Sequence, residues 1–139
     1  YSAFSPHGII AAPEDLAGYA NWNAGVVTAS PITPNTAIGT GNANTITIVN
    51  AIGSGSYAAK LCYDLVLNGY NNWYLPSLNE LNLLYTNRFL IGGFYTSPDY
   101  WSSSDDPANA ANAKSVSFQN GTVSNSNKNI NKRKRKFSY

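Results

Sequence analysis

The stretch that most constrains the fold of this chain runs from residue 72 to residue 85 and consists of NWYLPSLNELNLLY. Its apolar start, followed by Pro76, predicts a short buried strand that ends at the proline. Ser77 and Glu80 have the spacing of a reciprocal capping box, so we expect a helix to begin at Ser77. The apolar residues at helical spacing after it are Leu78, Leu81, Leu84 and Tyr85. The stretch therefore predicts a buried strand followed by a helix with one face in the core.

The part of the chain before this stretch is predicted to contain one strand and two helices. Residues 8–12 form an apolar run closed by a proline, which indicates a strand and a turn. The segment 16–43 is rich in Asn, Pro and Gly and is expected to be loop. A helix is predicted over residues 46–52 with Thr45 as its N-cap, and a second helix over residues 56–67.

The part of the chain after residue 93 is β-prone. Aromatic and alternating segments predict strands over residues 94–96, 100–103 and 116–119. Asn120-Gly121 is a strong hairpin signal, which makes residues 122–124 the returning strand. The polar segment that follows, residues 125–131, is expected to be an exposed loop.

The composition fits one globular domain that spans residues 1–139. Hydrophobic residues make up 43% and charged residues 12% of the chain, so its polar surface is suited more to hydrogen bonding than to ion pairing. No apolar run approaches the ~18 residues of a membrane span. The start at Tyr1 has no leader, and we expect a processed or excised domain. The single cysteine, Cys62, excludes an internal disulfide and is expected to be buried rather than reactive.

The charges are divided unevenly between the two ends of the chain. Residues 1–100 carry two basic and five acidic side chains, whereas residues 101–139 carry seven basic and two acidic ones. Five consecutive cations occupy positions 132–136. Such a run is typical of a patch that binds acidic or sulfated glycans, of a nucleic-acid contact with Trp101 and tyrosines as stacking partners, or of a solvated tail. The sequence leaves these three alternatives open.

The sequence contains no catalytic constellation. His7 is the single histidine, and neither a zinc-ligand spacing nor a nucleophile motif accompanies it. We therefore predict no catalytic residues, no enzyme activity, no cofactor and no metal ligands. Two adjacent carboxylate pairs, Glu14-Asp15 and Asp105-Asp106, leave calcium open, although neither has EF-hand spacing or the ligand motifs of calcium-dependent lectins.

Four segments form a pattern that covers most of the chain: residues 70–77 with 80–85, residues 7–15, residues 38–41 with Asn44-Thr45, and residues 100–104. Together they resemble the bacterial domain family DUF1566, also called the Lcl C-terminal domain. The resemblance implies a C-type-lectin-like fold, a binding role often found on bacterial surface proteins, no known catalytic activity, and trimerisation in some relatives.

The resemblance also implies that residues 132–137 form a closing strand beside the first strand. Lys134 departs from the family, which has an inward-facing apolar residue there, and Asn131 is a similar departure. Either these side chains snorkel past the edge of the sheet, or the closing strand is shorter than in the family.

Residues 102–136 are dominated by Ser, Asn, Lys, Ala and Arg, and most of these residue types can be specified by adenine-rich codons. Proteins of the C-type-lectin-like fold are known targets of diversity-generating retroelements, which replace adenines in a C-terminal variable region. On this resemblance the candidate variable positions are Asn109, Asn112, Ser124, Asn125, Ser126, Asn127, Asn129 and Asn131. An A+T-rich genome would give the same bias without a retroelement.

These patterns predict an α+β chain of C-type-lectin-like fold, with two to three helices packed on small antiparallel sheets and with the N- and C-terminal strands paired. Residues 1–100 would be the scaffold and residues 101–136 the recognition face. Exposed ligand contacts are predicted at Trp101, Asp105, Asn109, Asn112, Lys114, Gln119, Asn125, Asn127 and Asn129. A patch for an anionic ligand is predicted at Lys132, Arg133 and Arg135. Aromatic and amide side chains suit such a surface because they combine contact area with directional hydrogen bonds.

We therefore expect a non-enzymatic, adhesin-like or lectin-like domain of a bacterial surface or secreted protein, located outside the cell or at the cell surface. Its partner would be a glycan or protein on another cell or surface. An anionic ligand and assembly into a homo-oligomer stay open. The competing hypotheses are a structural or oligomerisation module of a surface assembly, a polyanion- or nucleic-acid-binding domain, and an enzyme that uses His7 with a carboxylate.

Overall fold

The computed structural model describes residues 2–3, 10–12, 14–65 and 72–138. Its helices are α1 (Gly41–Ile52), α2 (Ala58–Tyr63), α3 (Leu78–Thr86) and α4 (Arg88–Ile91). Its strands are β1 (Ser2–Ala3), β2 (Ile10–Ala11), β3 (Tyr100–Asp106), β4 (Asn109–Val116), β5 (Val123–Asn127) and β6 (Phe137–Ser138). The chain is thus of the predicted α+β class.

Two three-stranded antiparallel sheets organise these elements. The strand order is β1-β2-β6 in the first sheet and β3-β4-β5 in the second. Because β6 pairs with β2, the strands near the two ends of the chain are paired, as predicted. The strand predicted over residues 8–12 corresponds to β2, and its residues 8 and 9 lie outside the described part of the chain.

The second sheet lies between two clusters of buried apolar side chains. Trp101 pairs with Ser115 and Tyr100 pairs with Val116, and consecutive side chains of a strand point to opposite faces. Trp101 therefore packs against the helices α1 and α2, in a cluster that includes Trp22, Ile48, Cys62, Leu75 and Ala113. Tyr100 packs against α3, in a cluster that includes Tyr74, Leu81, Leu84, Val116, Phe118 and Phe137.

The predicted start of α3 at Ser77 is confirmed, and its capping box also fixes the start of α1. Ser77 Oγ accepts a hydrogen bond from the Glu80 N–H at 3.4 Å, and Glu80 Oε1 accepts one from the Ser77 N–H at 2.9 Å. The same buried carboxylate accepts from the N–H groups of Gly39 at 3.2 Å and Gly41 at 3.1 Å. A Cβ atom at position 41 would lie 2.7 Å from the Tyr74 ring, so this close approach requires glycine.

The helices α1 and α2 differ from their predicted bounds. α1 begins at Gly41, ahead of the predicted start, because the Glu80 carboxylate binds the N–H of its first residue. Thr45 is therefore a buried residue within the helix and not its N-cap. Its hydroxyl donates to the Gly41 carbonyl at 2.8 Å and accepts from the Leu75 N–H at 3.0 Å. α2 is only six residues long, and the end of the predicted helix, residues 66–67, lies outside the described residues.

The second sheet also differs from its prediction in extent. Residues 94–96 form no strand, whereas residues 125–127, predicted to be loop, belong to β5. The hairpin predicted at Asn120-Gly121 is confirmed, although its connection is longer than two residues. The Ser117 N–H donates to the Thr122 carbonyl at 2.9 Å and closes this connection between β4 and β5.

The basic C-terminal run is neither a tail nor a regular closing strand. We refer to residues 128–136 as the basic strap. Its carbonyls accept from the backbone N–H groups of an N-terminal segment at 2.9–3.2 Å, in the pairs Lys136 with Ala12, Lys134 with Leu16, Lys132 with Ala20, and Lys128 with Trp22. On its other side, the Arg133 N–H donates to the Asp99 carbonyl at 3.0 Å. Residues 128–130 of the strap form a turn after β5, residues 131–136 are held between the N-terminal segment and β3, and the strand after them, β6, has only two residues.

Candidate functional site

The cations of the basic strap face the interior of the protein. Lys128, Lys132, Lys134, Arg135 and Lys136 are each at most 8% exposed, and Arg133 is half-buried. A buried cation needs an anion or several hydrogen-bond acceptors to replace water. The surrounding segments supply such acceptors for each of these side chains.

Arg135 makes the largest number of these contacts. Its Nε donates to Asp15 Oδ1 at 2.9 Å, and its Nη1 and Nη2 donate to the carbonyls of Ala12 at 2.8 Å and Gly93 at 2.7 Å. The guanidinium lies 3.7 Å from the centre of the Phe94 ring. The guanidinium thereby joins the N-terminal segment, the loop after α4 and the strap.

Lys134 is bound by backbone carbonyls rather than by a carboxylate. Its Nζ donates to the carbonyls of Leu16, Ala17 and Gly18 at 3.3, 2.9 and 2.9 Å. Burial lowers the pKa of Lys134, and burial likewise lowers the pKa of Lys136. Of the two alternatives for Lys134, snorkelling past the sheet edge is therefore wrong, because the residue is 0% exposed and its ammonium group is bound by carbonyls. The other alternative, a shorter closing strand, agrees with the two residues of β6.

Two further strap cations pair with carboxylates and lie near tryptophan rings. Lys128 Nζ lies 3.2 Å from Asp105 Oδ2 and 4.2 Å from the centre of the Trp22 ring. Lys132 Nζ lies 3.8 Å from Asp99 Oδ2 and 5.5 Å from the Trp101 ring. These contacts neutralise the positive charge within the protein and leave little of it for an external anion.

The prediction of exposed contacts is wrong for Trp101 and Asp105, and two cations of the predicted anionic-ligand patch are buried as well. Trp101 and Asp105 are both 0% exposed: the Trp101 Nε1 donates to the Ala20 carbonyl at 2.9 Å. The Asp105 carboxylate accepts from the N–H groups of Ile32 at 2.7 Å and Thr33 at 3.1 Å. Lys132 and Arg135 are buried as described above. Two of the three cations of the predicted anionic-ligand patch are thus internal, and Arg133 is half-buried.

Three of the four carboxylates that left calcium open, those of Asp15, Asp105 and Asp106, are engaged in other contacts. Asp15 faces Arg135 and also accepts from the Tyr100 hydroxyl at 2.9 and 2.7 Å. Asp106 Oδ1 accepts from the Ala108 N–H at 2.9 Å, within the turn between β3 and β4. Among the described residues no group of three or more His, Cys, Asp or Glu side chains could hold a metal ion. His7 lies outside those residues.

Cys62 is buried, as predicted, and its surroundings make the stability of the protein depend on pH. Burial raises the pKa of the thiol from 9.0 to about 12. Because the folded-state pKa is raised, the contribution of the thiol to stability is fully present below pH 9 and is lost as the pH rises toward 12.

We therefore expect wild-type protein to lose about 1.4 kcal/mol more unfolding free energy between pH 8 and pH 10 than Cys62→Ala does. Urea titrations at the two pH values measure this difference. The lowered pKa values of Lys134 and Lys136 change the stability with pH in the opposite direction. Both lysines are present in the two proteins, so their effect cancels in the comparison. Equal pH dependence in the two proteins would show that the thiol is accessible to water in the folded state.

The remaining predicted contacts lie at the surface, and four of them form two cross-strand pairs. Asn112 on β4 is paired with Asn127 on β5, and Lys114 with Asn125. Lys114 Nζ donates to Asn125 Oδ1 at 2.9 Å. Residues two apart on a strand share a face, so the four side chains project together. We refer to Asn112, Lys114, Asn125 and Asn127 as the amide ladder.

The other three surface contacts flank this ladder or lie away from it. Asn109 begins β4, and its Oδ1 accepts from the Ala111 N–H at 3.0 Å. Asn129 follows β5, and its N–H donates to Asn127 Oδ1 at 2.9 Å. Gln119 is exposed in the connection between β4 and β5, at the opposite end of the hairpin. The structure thus brings six predicted contacts to one end of the second sheet and separates Gln119 from them.

Two concave surfaces are lined mostly by residues that were not predicted as ligand contacts. The exceptions are Gln119 in the first and Arg133 in the second. A groove of about 330 Å³ is lined by Phe89, Phe94, Phe118 and Gln119. A cleft of about 420 Å³ lies between the N-terminal segment and the loop after α4, with Glu14, Gly93, Tyr95 and Arg133 in its walls. We refer to the second as the tyrosine cleft. Its residues are far apart in sequence, and no local motif marks them.

The described part of the chain contains no helix that is both long enough and apolar enough to cross a membrane. A comparison with protein-family profiles finds no match, and a comparison with curated proteins finds none either. The resemblance to DUF1566 therefore stays a prediction.

A search of solved structures does find similar folds. The chain is similar to a fimbrial protein from Bacteroides ovatus ATCC 8483, with a TM-score of 0.62 and 16% sequence identity. The similarity covers 95% of this chain and 36% of the fimbrial protein. This chain thus corresponds to about a third of that protein, and the low identity means that the likeness concerns the fold.

Proposed function

We propose that this chain is a non-enzymatic, adhesin-like module of a bacterial surface protein and that it binds a glycan or protein ligand through the amide ladder. The observation that carries this proposal is the pair of cross-strand contacts Asn112–Asn127 and Lys114–Asn125 on the surface of a sheet whose other strand, β3, is buried. Side chains on paired strands are held in position by the backbone, while amides supply both donors and acceptors to a ligand.

The fold supports a location at the cell surface. The chain shares its fold with part of a protein described as fimbrial, and we propose an extracellular or surface-associated location and a role in a multi-subunit assembly. We also propose that the fold is C-type-lectin-like and that the chain is related to DUF1566. The pairing of the two terminal strands agrees with that proposal.

We further propose that a retroelement diversifies this surface. The eight candidate positions lie on β4, on β5 or in the turn after β5, and none of them is fully buried. Substitution there would leave the two core clusters intact. Sequencing the gene from related strains tests it: changes confined to adenines at these codons would support a retroelement, and changes spread over all bases would exclude one.

The proposed mode of binding makes little use of the basic strap. The strap cations are bound by internal carboxylates and carbonyls, so most of them are not exposed to a ligand. Lys114 is the single cation of the ladder. We therefore expect ligand binding to depend only weakly on salt, in contrast to the steep dependence of a polyanion-binding patch.

The ladder variant Asn112→Ala/Asn125→Ala is expected to weaken ligand binding by at least about tenfold, because two central polar contacts are removed. The measurement is binding to an array of neutral, acidic and sulfated glycans and of extracellular proteins. Asn42→Ala/Asn50→Ala is the matched control, since it removes two exposed amides from α1. Ligands that bind both variants as well as wild type would place recognition elsewhere on the chain.

A structural role within an assembly is the second candidate. Phe89 and Leu90 on the short helix α4 are 86% and 79% exposed, and exposed apolar pairs of this kind are typical of protein contacts. Sedimentation of the isolated chain distinguishes this role from ligand binding: stable self-association that Phe89→Ser abolishes would favour a structural module.

A further inference from the structure

We propose that the tyrosine cleft is a second binding site and that it takes a neutral sugar ring of a glycan. This site is separate from the amide ladder. The cleft of about 420 Å³ is within the range of about 300–1,000 Å³ that is usual for small-molecule sites.

The walls of the cleft are fixed before any ligand arrives. Its N-terminal wall, residues 16–18, is held by the three hydrogen bonds from Lys134 Nζ. Its opposite wall contains Gly93, whose carbonyl accepts from Arg135 at 2.7 Å. A preformed cavity avoids the entropic cost of ordering loops on binding.

Arg133 and two tyrosines form the aromatic part of this region. The Arg133 guanidinium lies 3.9 Å from the centre of the Tyr95 ring and 5.0 Å from that of Tyr19. Its Nε donates to the Ser97 carbonyl at 3.0 Å, which fixes its plane. Tyr95 is nevertheless 56% exposed, so part of its ring is available for contact with the apolar face of a ligand.

Several polar groups retain hydrogen-bonding capacity at the same place. Within the described part of the chain the carboxylate of Glu14, an exposed residue, accepts no hydrogen bond, and the Tyr95 hydroxyl makes none. Arg133 contacts Asp15 at only 3.8 Å and Tyr19 at 3.3 Å, which leaves guanidinium donors for a ligand. The site thus offers an acceptor, a hydroxyl and a charged donor beside an aromatic ring.

The balance of charge decides the class of ligand. Glu14 would repel a phosphate or sulfate, and Arg133 would repel a cation or an amine. Neighbouring hydroxyl groups of a sugar can donate to the carboxylate and accept from the guanidinium, while the C–H face of the ring packs on Tyr95. A neutral pyranose satisfies all three partners without bringing a net charge into the cleft.

Saturation-transfer NMR of the full chain with the methyl glycosides of glucose, galactose and mannose tests this proposal. We expect at least one glycoside to bind wild type, and Glu14→Gln and Tyr95→Ala each to weaken its binding by about tenfold or more. Both residues are exposed, so these variants are expected to fold; their far-ultraviolet circular dichroism confirms that.

The ladder variant Asn112→Ala/Asn125→Ala separates this site from the proposed ladder site. It is expected to bind the glycoside as wild type does, even if it has lost the ligand of the ladder. Binding that is lost in the ladder variant but kept in Glu14→Gln would overturn the cleft proposal. Binding of none of the three glycosides, or a clear preference for galactose 6-sulfate over methyl galactoside, would overturn it as well.

Discussion

Replacing Arg135 with alanine is expected to lower the free energy of unfolding by about 3 to 5 kcal/mol. The substitution removes the cation that faces Asp15 at 2.9 Å and the donors to the carbonyls of Ala12 and Gly93. It also leaves a cavity against the Phe94 ring. Urea denaturation, followed by the fluorescence of the three tryptophans, measures the loss.

Two further variants make this prediction specific to the guanidinium. Arg135→Lys keeps the positive charge but cannot reach three acceptors in one plane, so we expect an intermediate loss. Lys114→Ala removes a partly exposed cation on β4 and should change stability by no more than about 0.5 kcal/mol. If Arg135→Ala were as stable as Lys114→Ala, the strap would not be held by internal contacts.

Replacing Asp105 with alanine is expected to cost a similar amount, about 3 to 5 kcal/mol. The carboxylate is fully buried, and it binds Lys128 Nζ at 3.2 Å together with the backbone N–H groups of Ile32 and Thr33. Without it, one buried ammonium and two backbone N–H groups lose their acceptor. Thermal and urea denaturation of the same samples give two independent measures of the loss.

The neighbouring carboxylate provides a matched control for this second prediction. Asp106 accepts one hydrogen bond, from the Ala108 N–H within its own turn. Asp106→Ala is therefore expected to cost only about 1 kcal/mol. A larger loss in Asp106→Ala than in Asp105→Ala would contradict the assignment of Asp105 as the anion that neutralises Lys128.

Local signals in the sequence were sufficient to predict the elements whose structure depends on neighbouring residues. The capping box needs only Ser77 and Glu80, which are three positions apart, and the start of α3 follows from them. Alternation and the Asn120-Gly121 turn similarly predicted the β4–β5 hairpin. The amides at positions 112, 125 and 127 were identified from the Asn- and Ser-rich composition of residues 102–136 and not from a strand pattern, since residues 125–131 were predicted to be loop.

Features that depend on distant residues could not be predicted in the same way. α1 starts at Gly41 because a carboxylate 39 positions later binds its N–H, and nothing near residue 41 indicates this. A run of five cations normally indicates a solvated segment, since burial of each charge is costly. The acceptors that the N-terminal segment supplies to Lys134 and Arg135 lie 116 to 123 positions away in the sequence. Only the fold brings these residues together.

The same reasoning explains which candidate site residues were correct. Trp101 was predicted as exposed because aromatic residues are common in recognition surfaces, and Asp105 because it lies in the segment assigned to the recognition face. Their strand, β3, is instead the buried strand of the second sheet, with every residue from Tyr100 to Asp106 inside. Within the second sheet, the side chains that reach solvent lie on β4 and β5.

Acetylation of the lysines in the native protein, quantified residue by residue by mass spectrometry, tests most directly whether the strap cations are internal. We expect Lys114 to react at the rate of an accessible amine, and Lys128 and Lys134 to react at least about 100-fold more slowly, at the rate of local opening. Rapid modification of the strap lysines in the folded protein would contradict the account, and protection that disappears in urea would confirm it.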